Sequence, residues 1–294
     1  MAKLTLTVSQ AQEGRTVLSL LRGELGLSTA RIGRLKRADS GLTANGERVF
    51  TNARLRAGDF LAVDLAAAER PTDLLPIPID LDIRYEDEHL LVLNKNAPLA
   101  VIPSSLVPGE PTLAGGLAAH LGPGFTFHPV NRLDRGTTGL MAVAKSGYIH
   151  DQLRRQMHGG GFQRRYLALC VGAPLPPAGQ IDLPIARAPG SAIRRQTDPA
   201  GQSALTAYRV LRRVGRFSLV LLLPHTGRTH QLRVHMAAIG CPLAGDWLYG
   251  MEDRALIPRP ALHACALTLT HPVTGTLLTL TAPLPADMKR LLEF

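Results

Sequence analysis

The stretch Arg132-Leu133-Asp134-Arg135-Gly136-Thr137-Thr138-Gly139-Leu140 leads from a charged, turn-rich segment directly into an apolar run that predicts a strand. Loops held by a rigid scaffold are common places for reactive side chains. Asp134 has an arginine one residue after it and another two residues before it, and nearby cations keep a carboxylate ionised. On this stretch alone, however, a surface Asp–Arg pair or a turn-anchoring Asp is the simpler interpretation.

Three further motifs occur in order along the chain, and they favour a reactive Asp134. They are the stretch from Ile83 to Lys95, the stretch Arg165-Tyr166-Leu167-Ala168, and the stretch from Thr226 to His235, which is followed by Gly245-Asp246 and Tyr249-Gly250. Together with the stretch around Asp134 they closely resemble the motifs of the RluA-type pseudouridine synthases, from about residue 82 to the C terminus. Four ordered motifs are far more specific than one. One departure is Asn131, where many members have His.

The resemblance implies a reaction and a role for several residues. Uridine becomes pseudouridine when the N1–C1′ bond breaks, the uracil turns, and C5 joins C1′. The resemblance makes Asp134 the catalytic carboxylate, which either attacks C1′ or stabilises and deprotonates an electron-poor sugar. We predict that Arg228 is the cation that pairs with Asp134 and that Tyr166 faces the uracil and takes part in proton removal. The predicted substrate-binding residues are Arg132, Leu133, Thr138 and Leu232.

The sequence predicts neither a cofactor nor a metal. The isomerisation has no net gain or loss of atoms or electrons, so it requires no redox group. His225, His230 and His235 are five residues apart, and this spacing does not place them on one face of a helix. We therefore do not predict a metal site there.

The composition favours a nucleic-acid partner. The 294 residues include 33 Lys and Arg against 23 Asp and Glu, a formal charge of +10. Such a charge attracts polyanions, and the absence of a long apolar run from the sequence makes nucleic acid a better partner than a membrane. The three cysteines are far apart, which favours a reducing compartment. We predict a cytoplasmic monomer without a membrane partner.

The chain divides into two predicted domains. Residues 1–64 resemble an S4-type RNA-binding domain, because a short basic helix starting near Ser28 precedes a hairpin at Asn45-Gly46. A proline-bearing linker, 65–78, leads to a catalytic domain, 79–294. The predicted RNA-binding residues are Arg31, Arg34, Lys36, Arg37, Arg154 and Arg155, and further candidates for phosphate contacts are Arg164, Arg165, Arg194 and Arg195. A solvated helix face would also explain the basic run.

The fold class follows from the order of the predicted elements. Strand-like runs in the larger part outnumber helices and do not alternate with them, which predicts an α+β fold with a mainly antiparallel mixed sheet. Ribosomal RNA is the expected substrate, by resemblance to S4-bearing members, and transfer RNA is the next candidate. Two alternatives remain open, namely a non-catalytic RNA-binding protein of the same fold and a hydrolase that uses Asp134 on another glycosidic or phosphoryl substrate.

Overall fold

A computed structural model describes residues 3–69, 74–104, 107 and 109–293. The N-terminal part has a four-stranded sheet with strand order β1-β4-β2-β3 and its own hydrophobic core. Its elements are β1 (Lys3–Thr7), α1 (Val17–Gly23), α2 (Thr29–Leu35), β2 (Leu42–Ala44), β3 (Glu47–Arg48) and β4 (Phe60–Asp64).

Local sequence signals explain how this part begins its helix and turns its hairpin. The Ser28 hydroxyl accepts a hydrogen bond from the Arg31 N–H, which caps α2 as predicted. Asn45 and Gly46 have φ values of 54° and 88°, and such left-handed residues suit the tight turn between β2 and β3. The predicted helix and hairpin are therefore confirmed. The predicted linker includes residues 70–73, which lie outside the described residues.

The larger part is built around a ten-stranded sheet and a separate two-stranded hairpin. The strands in chain order are β5 (Ile83–Glu86), β6 (Leu90–Lys95), β7 (His128–Pro129), β8 (Thr138–Ala144), β9 (Gln163–Val171), β10 (Ala178–Asp182), β11 (Ile185–Arg187), β12 (Arg195–Thr197), β13 (Leu205–Val214), β14 (Phe217–Pro224), β15 (Leu262–Thr270) and β16 (Leu277–Thr281). The helices are α3 (Leu113–Leu121), α4 (Gly147–His158), α5 (Gln231–Ala238) and α6 (Ala286–Arg290). None of the described helices is long and apolar enough to cross a membrane.

The sheet order confirms the predicted fold class. It runs β10-β13-β14-β9-β15-β8-β6-β5, with β16 added to β15 and β7 added to β8, and β11 pairs with β12 outside it. Among the pairings of the described strands, β8 with β15 is parallel and the others are antiparallel. The architecture is therefore α+β with a mainly antiparallel mixed sheet.

Strands β6 and β8 are buried on both faces, and alternate side chains enter two different cores. Leu91 and Met141 belong to one core, whereas Leu90 and Leu140 belong to the other. Gly139 has a φ of 112°, and a Cβ at this position would overlap the backbone of Ala264 on β15. This close approach of two strands explains why the Thr138-Gly139-Leu140 motif contains a glycine.

Helix α2 of the N-terminal part packs against the start of α4 through a buried ionic network. The Arg31 guanidinium donates to Glu69 at 3.0 Å and to Asp151 at 3.1 Å, and its side chain is only 2% exposed. A Cβ on Gly147 would overlap this guanidinium, so the absence of a side chain there makes room for the contact. The prediction that Arg31 contacts RNA is therefore wrong, because its charge is already buried against two carboxylates.

Two other basic residues of the predicted RNA-binding set also donate to backbone carbonyls, Arg34 within the N-terminal part and Arg155 from α4 across to it. Arg34 donates from Nε to the carbonyl of Ala68 at 2.7 Å, and Arg155 on α4 donates to the carbonyl of Arg22 at 3.2 Å. Lys36 and Arg37 are exposed at the end of α2. Fewer residues of the predicted RNA-binding set are therefore free to bind a ligand than the sequence indicated.

Candidate active site

A cavity of about 770 Å³ lies where the loop before β8, strand β9 and the start of α5 meet. The loop contributes Asp134, strand β9 contributes Tyr166, and α5 contributes Leu232 and Arg233. The motifs that are far apart in sequence therefore surround one space. Its size falls within the range of small-molecule and nucleotide sites.

Asp134 faces a guanidinium in this cavity, and that guanidinium belongs to Arg233. Arg233 Nη1 lies 3.7 Å from Asp134 Oδ2, and Nε and Nη2 each donate to Asp246 at 2.7 Å. Asp246 is fully buried, so its bidentate contact fixes the plane of the guanidinium. Burial would lower the pKa of Arg233, but the hydrogen bonds and charge of Asp246, together with the charge of Asp134, raise it.

The predicted pairing of Arg228 with Asp134 is wrong. Arg228 lines the same cavity, but its side chain is exposed and its Nε donates to the carbonyl of Ser203 at 2.9 Å. The two arginines are five residues apart, and only Arg233 lies on the turn of α5 that faces Asp134. The backbone N–H of Arg228 instead donates to the side chain of Gln231, which holds the loop before α5.

Tyr249 and His230 form the support behind Arg233. The Arg233 guanidinium lies over the Tyr249 ring at 5.0 Å, and the Tyr249 hydroxyl lies 2.8 Å from His230 Nδ1. The Tyr249 hydroxyl also accepts from the Arg195 N–H at 2.8 Å, so it contacts both the N-cap residue of α5 and strand β12. His230 has a φ of 58°, an uncommon conformation for this residue type, and such strain often occurs at functional sites.

Tyr166 lies on the wall of the cavity. Its side chain is 6% exposed and belongs to the same core as Leu133 and Leu232. Burial raises the pKa of Tyr166, the charge of Arg164 opposes this shift, and the charge of Asp134 adds to it. The phenol is therefore protonated at neutral pH and lies close enough to Asp134 to feel its charge.

The turn that carries Asp134 is fixed on both sides. The Thr137 N–H donates to the Asp134 carbonyl at 3.0 Å, and the buried Asn131 side chain accepts from the Ala142 N–H of β8 at 2.9 Å. Lys95, at the end of β6, donates to the carbonyls of Asn96, Leu99 and Arg135 at 2.8, 2.9 and 3.3 Å. The backbone on either side of Asp134 is thus tied to two strands of the sheet.

The remaining predicted site residues divide into those that line the cavity and those that do not. The lining includes Arg132, Leu133, Leu232, Arg154 and Arg164. Thr138 lies outside it, because its buried hydroxyl lies 2.9 Å from His263 Nδ1 in the sheet. The prediction that Thr138 binds substrate is therefore wrong. Arg155 also lies outside the lining, since it contacts the N-terminal part.

His225, His230 and His235 do not lie together as the ligands of a metal ion would. His225 and His230 line the cavity, whereas His235 is fully buried and lies 3.0 Å from the Thr206 hydroxyl and 2.9 Å from the Leu183 carbonyl. Burial lowers the pKa of His235. Within the described ranges, no three His, Cys, Asp or Glu side chains are placed to hold a metal ion.

Sequence analysis missed four residues that shape the site. They are Lys95, Arg233, Asp246 and Tyr249, and all four lie inside the motifs that carry the resemblance. A charged residue inside an apolar strand end, as Lys95 is, was a usable signal. The sequence also contained a signal that Arg233, and not Arg228, pairs with Asp134, because Arg233 lies within the helix pattern and Arg228 precedes it.

Comparison with known proteins agrees with this geometry. Residues 89–238 match the family described as RNA pseudouridylate synthase. The chain is 41% identical over 274 residues to "Uncharacterized RNA pseudouridine synthase YjbO" of Bacillus subtilis, covering 92% of this chain and 96% of that protein. It is 37% identical to "Ribosomal large subunit pseudouridine synthase D" of Pseudomonas aeruginosa, covering 87% and 84%.

A solved structure shares the fold. "Human RNA Pseudouridylate Synthase Domain Containing 4" superposes with a TM-score of 0.58 at 27% identity, covering 72% of this chain and 91% of that one. The matched family region contains Asp134, Tyr166 and Arg233, the residues that meet in the cavity. From its motifs, its fold and its relatives, the chain belongs to the RNA pseudouridylate synthase family.

Proposed function

We propose that this protein isomerises uridine to pseudouridine in ribosomal RNA, with Asp134 as the catalytic carboxylate. The observation that carries the proposal is the contact of Asp134 with Arg233 on the wall of a cavity that Tyr166 and Leu232 also line. An Arg held by one buried carboxylate and facing a second, half-exposed one is suited to orient the second towards the cavity. A protein that only bound RNA would not need this arrangement.

The chemistry follows from the groups in the cavity. Asp134 either forms a bond to C1′ as N1 departs or stabilises and deprotonates the electron-poor sugar, and both routes need an anionic oxygen. The detached uracil turns between the apolar side chains of Leu133 and Leu232 and the ring of Tyr166. Tyr166 is proposed to take part when C5 loses its proton after the new bond to C1′ forms. Atoms and electrons balance without any cofactor.

The RNA must present its uridine outside the base stack. Extruding a nucleotide costs a few kcal/mol, and contacts to phosphates offset part of that cost. Arg132, Arg154 and Arg164 line the cavity and are proposed to provide such contacts. Ribosomal RNA is the preferred substrate because relatives with 37% and 40% identity carry the name "Ribosomal large subunit pseudouridine synthase D", and transfer RNA is the next candidate.

We also propose that the N-terminal part is an S4-like RNA-binding domain spanning residues 1–64, joined by a linker, 65–78, to a catalytic domain, 79–294. Its helix and hairpin support this assignment, as do the exposed Lys36 and Arg37. A cytoplasmic monomer remains our proposal for the working form. Cys170, Cys241 and Cys265 are free thiols, which is consistent with a reducing compartment.

Replacing Asp134 by Asn tests the proposal. Asp134→Asn removes the charge and the nucleophile with little change in volume, so pseudouridine formation should fall by on the order of 1,000-fold or more. The product is measured as carbodiimide-dependent primer-extension stops on ribosomal RNA. RNA affinity should be retained, and the matched control Asp253→Asn, which lies outside the cavity, should keep its activity. Undiminished turnover in Asp134→Asn would refute the assignment.

A further inference from the structure

A second cavity, of about 700 Å³, lies between the β11–β12 hairpin and the C-terminal half of α5. The hairpin contributes Arg194 and Arg195, α5 contributes Val234 and Ala238, and Tyr249 completes the wall. The lining of this cavity combines guanidinium groups, an aromatic ring and small apolar side chains, which is a suitable set for a nucleotide.

Two arginines give this cavity a positive charge. Its described lining contains no acidic residue, and neither Arg194 nor Arg195 forms an ion pair within the described residues. Arg195 also lies directly opposite Arg187 in the hairpin. Like charges directly opposite each other on paired strands are destabilising, so the hairpin retains a repulsion that an anion would relieve.

The second cavity and the catalytic cavity are separated by one layer of side chains. Tyr249 lines the second cavity, and its hydroxyl lies 2.8 Å from His230, which lines the first. Arg233 lies on the catalytic side of this layer, with its guanidinium over the Tyr249 ring at 5.0 Å. A strand with its uridine beside Asp134 can therefore place a neighbouring nucleotide on the far side of Tyr249.

We propose that the second cavity binds a nucleotide adjacent to the target uridine on the same RNA strand, with Arg194 and Arg195 at its phosphate. This inference rests on the proposed function, because it takes the strand to be the one that enters the catalytic cavity. Tyr249 then serves both sites, as a wall for the neighbouring nucleotide and as the support of Arg233. The cavity recognises phosphate and a ring face, which are common to all nucleotides.

The test compares two double variants that lose the same charge. Arg194→Gln with Arg195→Gln changes the second cavity, whereas Arg212→Gln with Arg213→Gln changes two exposed arginines of β13 that line neither cavity. The probes are labelled oligouridylates of one to eight nucleotides, UMP and inorganic phosphate. Dissociation constants are measured for each probe at several KCl concentrations, and thermal melts check that both variants fold.

For the wild type we expect a stepwise gain of about tenfold in affinity when the oligonucleotide becomes long enough to reach the second cavity. The step should disappear in the Arg194/Arg195 variant and persist in the Arg212/Arg213 variant. In the first variant, the slope of log K against log [KCl] for the longer probes should become less steep by about 0.7 for each lost phosphate contact. Equal weakening in both variants, or a step that survives in the first, would overturn the proposal.

Two further measurements separate the possible sources of phosphate and the two levels of inference. If the Arg194/Arg195 variant loses binding of UMP or inorganic phosphate while the oligonucleotide series is unchanged, the cavity takes a free compound and the proposal fails. A wild type that shows the affinity step but forms no pseudouridine would sink the proposed function, whereas loss of the step alone sinks only the second site.

Discussion

At the scale of single residues, Arg233 is the group that is proposed to aim the catalytic carboxylate of Asp134. It is 5% exposed, its Nε and Nη2 donate to Asp246 at 2.7 Å, and its Nη1 lies 3.7 Å from Asp134 Oδ2. The tight contact orients the guanidinium, and the looser one leaves Asp134 free to move towards a sugar. A lysine could not do both, because its ammonium lacks a rigid, planar set of donors.

Replacing the two arginines of the 226–235 motif separately should distinguish their roles. Arg233→Gln removes the charge beside Asp134, and single-turnover rates of pseudouridine formation should fall by about 100-fold or more. Arg228→Gln should lower the rate only a few-fold, since Arg228 contacts the Ser203 carbonyl. Because Arg233→Gln also leaves Asp246 without its partner, RNA affinity and a melting curve are recorded for both variants. Equal losses of rate would contradict the assignment of the ion pair to Arg233.

At the scale of elements, the end of β6 controls the turn that carries Asp134. Lys95 is 1% exposed and donates to three carbonyls, including that of Arg135. Burial lowers the pKa of Lys95 to about 7, the charge of Asp134 opposes this shift, and the charge of Arg259 adds to it. A neutral amine has only two N–H donors for these three acceptors, so loss of the proton releases one carbonyl.

The pH dependence of rate and of stability should therefore run in opposite directions. As pH rises through about 7, Lys95 loses its proton and the modification rate should fall. The pKa of Lys95 is lower in the folded chain than its ordinary value of 10.5, so between these two values the unfolded chain binds more protons. The contribution of Lys95 to the free energy of unfolding therefore rises with pH in this range. Lys95→Met should remove both dependences. The same pH profile in wild type and Lys95→Met would refute the argument.

Much of the architecture at this scale was predictable from sequence, because the signals are local. Ser28 and Ser146 cap their helices, Asn45-Gly46 turns its hairpin, and the apolar runs became strands. The parallel pairing of β8 with β15 was not predictable, since it joins segments more than 120 residues apart. The motifs that form the site were predictable from the sequence. Whether Arg228 or Arg233 faces Asp134 was less so, because it depends on the residue at which α5 begins.

At the scale of the whole molecule, Glu69 joins the two parts. Its carboxylate contacts Arg31 of α2, accepts from the Gly147 N–H at the start of α4, and lies 2.9 Å from His128 Nε2. Burial would raise the pKa of Glu69, but the hydrogen bonds from His128 and Gly147 and the charge of Arg31 lower it to about 2. The stability from this carboxylate is therefore present above its ordinary pKa and is lost as pH falls towards 2.

Breaking the contact should loosen the N-terminal part. Arg31→Met keeps much of the volume but leaves Glu69 and Asp151 without their cation, and the free energy of unfolding should fall by about 3 kcal/mol. Chemical denaturation measures this change, and the exposed Arg37→Met is the matched control, expected to change it by less than about 0.5 kcal/mol. Faster hydrogen exchange in α2 of the Arg31 variant would locate the loss. Equal stabilities of the two variants would show that the network contributes nothing.

The Arg31 network also bears on how a substrate is selected. A domain on a loose tether samples many distances and tolerates substrates of many shapes, whereas one locked against α4 holds its exposed end at a constant separation from Asp134. Under the proposed RNA-binding role of the N-terminal part, this constant separation favours an RNA whose second contact point and target nucleotide lie at the same spacing. Distance would then discriminate among otherwise equivalent uridines before any base is recognised.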